Sequence, residues 1–199
     1  MNLLIDILPE SVFIEGVEYE IDSNFRTFIL FELLMLDELM DPEEKIIKTL
    51  ELFYITKCPP NIEKAIDKML WFYRCGKDDN QVISSSGGGS HEKTYSFEHD
   101  DTYIFSAFLG QYGIDLQDID YLHWWKFKAL FKSLNDTNEF VKIMGYRSMD
   151  LSKIKDKEQK AFYQKMKKIY QLPVSKTEQE KIDALTQALI NGEDISKLL

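Results

Sequence analysis

The sequence predicts a mainly α protein, with about seven helices in a bundle-like domain and a small β-hairpin near the N-terminus. Three observations lead there. Apolar residues recur at helical spacing through most of the chain, the apolar runs begin at Asp, Asn or Ser residues placed to cap them, and residues 11–21 alternate apolar and polar side chains. A chain of 199 residues with 44% hydrophobic and 29% charged residues is long enough for one good core and has a globular composition.

Residues 11–21, SVFIEGVEYEI, alternate around Glu15-Gly16, which predicts a hairpin with glycine at the turn. Asp22, Ser23 and Asn24 offer caps for a helix over 25–40, FRTFILFELLMLDELM, which is apolar almost all round and is expected deep in the core. Asp41-Pro42 restarts the chain as cap and first-turn proline for a helix to about 54. Pro59-Pro60 ends that segment. Asn61 caps a third helix to about 75, with Gly76 just past its end. Residues 77–94 hold SSSGGGS and few apolar side chains, which predicts a flexible loop and the best candidate boundary. A helix then opens at 98–101 and runs to about 112, with Gly113 as its stop.

Residues 119–134 are expected to form one helix carrying the paired Trp124 and Trp125. Ile119, Trp124, Phe127, Leu130, Phe131 and Leu134 fall in one sector, and Tyr121, Leu122, Trp125 and Ala129 in another, so this helix needs cover on more than one side. Two readings stand for the Trp125 sector: core, or a surface that docks on another protein, since Trp and Tyr are enriched at binding hot spots. Asp136 with Glu139 predicts a capping box for a helix over 137–146. Asp150 or Ser152 is expected to cap a long helix to 171 whose many lysines surround an apolar stripe. Those lysines form either a solvated face or a basic face for an acidic partner, including the first half of a neighbouring copy. Ser175 with Glu178 opens a last helix to about 190. The domain reading is a main body over 1–172 and a helical arm over 173–199.

Charge and composition exclude several classes. A net charge of −10 argues against nucleic acid as a general partner. Residues 1–120 carry 24 acidic and 9 basic side chains and residues 121–199 carry 10 and 15, a polarity that suits head-to-tail association or opposed faces of one fold. Arg26 and Glu32 interrupt the most apolar window, so no membrane span is expected, and the N-terminus lacks a basic region and cleavage site for secretion. Cys58 and Cys75 bracket a helix and should lie about 20 Å apart, so both thiols are expected free, as in a reducing cytoplasm.

No catalytic, cofactor or metal site is expected. His99, Asp100 and Asp101 offer cation ligands, but they sit where a helix start needs acceptors, and capping is the better account. His123 has no nucleophile near it in sequence, and no phosphate loop, dinucleotide motif or nucleophile elbow is present, so the chain is not expected to be an enzyme. The residues expected to meet a partner are Trp125, Tyr121, Lys128 and Lys132 on the tryptophan helix, with Lys165 and Lys168 on the lysine-rich helix.

Residues 97–144, with YGIDL at 112–116 and LHWWKF at 122–127, then GYR at 145–147, resemble the gene-product-fifteen family of tailed bacteriophages and prophages of Gram-positive bacteria. Leu8-Pro9, the hairpin and NFRTFILFE at 24–32 follow the same order, so the resemblance covers roughly residues 8–172. It implies a tail assembly chaperone of long-tailed phages. Such a protein binds and solubilises the tape measure protein, with the tail tube protein as a further expected partner. It would self-associate, act in the host cytoplasm and be absent from the mature virion. A structural component of the tail or head-tail connector is the alternative.

Overall fold

The computed structural model describes residues 2–77 and 93–173. The predicted arm from 174 onward and most of the Ser/Gly loop lie outside the described residues. The described part is mainly helical, with seven helices and one two-stranded sheet.

Strands β1 (Ser11–Ile14) and β2 (Val17–Glu20) pair antiparallel, with Val12 opposite Tyr19 and Ile14 opposite Val17. Glu15 and Gly16 both take positive φ (52° and 79°), the geometry that matches a two-residue turn to strand twist. Val12, Ile14 and Tyr19 point into the core and β1 packs on α3, which supplies the cover that a lone ribbon needs.

Helix α1 (Phe25–Leu36) starts where the Asn24 side chain accepts from the Arg26 amide, and it ends four residues earlier than expected, at Asp37. Its expected burial on all sides is also corrected. Phe25, Thr27, Phe28 and Phe31 are buried, whereas Leu30, Met35 and Leu36 are 50%, 39% and 44% exposed. Helix α2 (Pro42–Phe53) is capped by Asp41, which accepts from the Glu43 and Glu44 amides, and α3 (Ile62–Tyr73) is capped by Asn61. Past α3 the left-handed residues are Cys75 (φ 58°) and Gly76 (φ 73°). Gly76 is required for space as well, since a Cβ there would sit 2.9 Å from the Trp125 ring. Both cysteines are free.

Helix α4 (Asp101–Tyr112) ends on left-handed Gly113 as expected. The tryptophan helix, α5 (Trp124–Lys132), is shorter than the predicted 119–134 because His123 caps it, its ring nitrogen accepting from the Trp125 amide at 3.0 Å. Residues 113–123 therefore run outside any helix. Arg26 holds this stretch by donating to the carbonyls of Leu116 (2.7 Å) and Ile119 (2.9 Å). Helix α6 (Glu139–Ser148) begins after Asn138, not through the Asp136–Glu139 box, because Asn135 organises the preceding turn through Thr137. Helix α7 (Lys157–Ile169) is capped by Asp156; Asp150 instead closes a separate turn on Ser152.

The core is aromatic. Phe28 stacks between Phe72 (5.3 Å) and Trp124 (5.1 Å), and Phe127 stacks on Phe25 and Phe108, both at 5.0 Å. These rings join α1, α3, α4 and α5 into one packed centre, where offset and edge contacts each add roughly 1 kcal/mol to burial.

Candidate partner-binding surface

The paired tryptophans are fixed by the end of α3. The last carbonyls of a helix lack intrahelical donors. Here the Trp124 indole nitrogen donates to Tyr73 O at 2.9 Å, and the Trp125 indole nitrogen to Phe72 O at 2.8 Å. Trp125 is 5% exposed and lies edge-on to Trp71. The docking reading of Trp125 is thereby corrected: its indole is already engaged inside the protein and presents no surface to a partner.

The other expected contact residues separate into engaged and open groups. Tyr121 is 45% exposed and lies before α5 rather than on it, with its hydroxyl 2.7 Å from Ser23 Oγ. Lys128 is half-buried, its ammonium 4.9 Å from the Trp124 ring centre and 5.3 Å from that of Tyr73. Burial lowers its pKa, and Glu32 opposes that shift. Glu32 accepts from the Tyr73 hydroxyl at 2.8 Å, and Tyr73 is pushed well above the ordinary tyrosine range by burial and then by that carboxylate. Lys132 on α5 and Lys165 and Lys168 on α7 are exposed. The two lysine sets are not gathered onto one helix pair, since α5 packs mainly on α1 and α7 on α6.

Two polar devices were not legible in the sequence. Asp100 stands at the N-cap of α4 but makes no capping bond; it is 1% exposed and pairs bidentately with Arg147 at 2.6 and 2.8 Å. Arg147 also donates to Thr94 O and Tyr170 O, tying the segment before α4 and the end of α7 to α6. Capping and cation binding by Asp100 are both replaced by this ion pair. His123, 2% exposed, accepts at Nδ1, so Nε2 carries the proton and donates to Pro9 O at 3.2 Å. Burial lowers its pKa, which keeps the ring neutral.

The surface that sequence reasoning missed lies between α1 and α2. An open groove of about 510 Å³ is lined by Leu30, Leu33 and Leu34 of α1 and Leu52 of α2, with Asp37, Lys48 and Glu51 at its polar rim. The signal was present in α1: a helix apolar all round needs two covers. The core covers one side, and the groove is the other. Among the described residues no cluster of three or more potential metal ligands occurs, and no helix is long and apolar enough to cross a membrane.

No curated protein and no solved structure matches the chain. The family model described as "Bacteriophage Gp15 protein" matches residues 4–172, from the approach to the hairpin to the end of α7. That span takes in the groove, the tryptophan helix and the Asp100–Arg147 pair, and over it the chain belongs to the bacteriophage Gp15 family.

Proposed function

We propose that this chain is a non-enzymatic tail assembly chaperone that binds the tape measure protein and keeps it soluble during long-tail morphogenesis, acting in the bacterial host cytoplasm and leaving before the virion matures. The observation that carries this reading is the α1/α2 groove, lined by half-exposed Leu30 and partly buried Leu33, Leu34 and Leu52 within the family-matched region. A long helical client exposes apolar stripes, and a leucine groove with a charged rim receives one by helix-in-groove contact. Many shallow contacts repeated along one rod sum to firm binding yet release singly, as replacement by tail tube subunits requires.

Co-expression with the tape measure protein of the same phage, followed by fractionation and affinity purification, tests the reading. The expected result is a soluble tape measure that co-purifies with several copies of this chain. A tape measure that stays insoluble and unbound overturns it, and recovery of this chain from purified virions in ring-like stoichiometry assigns it to the tail or connector instead.

A further inference from the structure

Helix α7 is amphipathic, yet none of its residues is buried. Tyr146 and Tyr170 stack beside it at 5.8 Å and Tyr163 leans on Tyr146, which covers one side. Phe162, Lys165 and Ile169, three and four residues apart, form a neighbouring stripe; Phe162 is 49% and Ile169 56% exposed, and Lys165 is exposed. The helix carries five lysines and one glutamate. The segment that borders the α1/α2 groove, from Asp37 to Glu51, carries six acidic and two basic side chains. Each surface therefore offers an apolar row with a rim of opposite charge.

We propose that α7 of a second copy of this chain occupies the α1/α2 groove, with Phe162 and Ile169 on Leu30, Leu33 and Leu34 and with Lys165 and Lys168 facing Asp37 and Glu51. The two surfaces differ, so the contact is heterologous and repeats head to tail rather than closing a symmetric dimer. The contact uses the groove that also receives the tape measure, so a client displaces α7 there; association measured without any client tests the self-contact by itself.

Sedimentation velocity of the full chain over a concentration series tests it. Wild type is expected to associate progressively. Lys165→Glu/Lys168→Glu and, separately, Asp37→Asn/Glu51→Lys are each expected to weaken association by about tenfold, since like charge replaces attraction at the rim. Asn retains the acceptor with which Asp37 holds the Leu39 amide, and all four side chains are exposed, so the fold is kept and circular dichroism should be unchanged. Each variant keeps one intact half, and the altered halves carry swapped charges, so the mixture should associate more strongly than either variant alone. The proposal is overturned by a wild type that stays monomeric throughout, by variants that associate like wild type, or by a mixture no more associated than its components.

Discussion

Helices α5 and α7 are both rich in lysine and aromatic residues, and their fates are opposite. In α5, WWKFKALFK, Trp124, Trp125, Phe127 and Phe131 are buried; in α7, KEQKAFYQKMKKI, nothing is. The difference lies in their neighbours. Helix α5 meets α1 and the end of α3, whose last carbonyls take both indole protons, whereas α7 meets α6 and a few tyrosine rings. The polar end of an aromatic side chain needs a built partner before the ring can be buried. Where the fold provides one, an aromatic helix becomes core; where it does not, the helix remains a surface that another molecule can use.

The contrast can be broken at its strongest point. Trp124→Ala removes a fully buried ring and leaves Tyr73 O without its donor, so urea unfolding should show a loss of about 3–5 kcal/mol. Retention of wild-type stability would mean that α5 is not the centre of the core. Arg147→Met, which strands the buried Asp100 carboxylate, is expected to cost about 3 kcal/mol or more in the same assay. The additional Asp100→Leu change should recover part of that loss, because it removes the stranded charge.

A smaller effect concerns the His123 cap at the start of α5. Its folded pKa is depressed by burial, so the unfolded chain takes up the proton first. Stability from this group is complete above the unfolded pKa of about 6.5 and declines as pH falls below it toward the folded value. His123→Asn retains a capping acceptor without the titration, and it should flatten the fall of denaturation midpoints below about pH 6.5 relative to wild type. An unchanged slope would place the titration elsewhere. The smallest effect belongs to α7: Phe162, half covered and edge-on to Tyr146, should lose only about 1 kcal/mol as Phe162→Ala, and a loss above about 2 kcal/mol would make it a core residue.

Local signals carried most of the fold. The caps Asn24, Asp41 and Asn61, the turn at Glu15-Gly16 and the stop at Gly113 each act within a few residues, and each does what its residue type suggests. The starts of α6 and α7 were misread among neighbouring cap residues, whereas the misreadings around the site involve long-range partners. Asp100 resembled a helix cap until folding brought Arg147 to it, 47 residues away. Residues 119–123 continued a helical pattern, but the bridge between Asn24 and His123, with Trp124 N donating to Ser23 O at 2.8 Å, holds the backbone extended just before α5. Trp125 looked like a hot spot because the acceptor of its indole proton lies 53 residues earlier. The groove followed from the same limit: apolarity on every side of α1 was visible, but which side the core would claim was not.

The central claim is that the α1/α2 groove is the docking face. It is tested most directly by co-expressing the tape measure protein with wild type and with Leu30→Asp, a change at a half-exposed groove residue that the core does not use. The account predicts that wild type carries the client into the soluble fraction while the equally folded variant does not. Equal recovery of soluble, bound client with both proteins would contradict it.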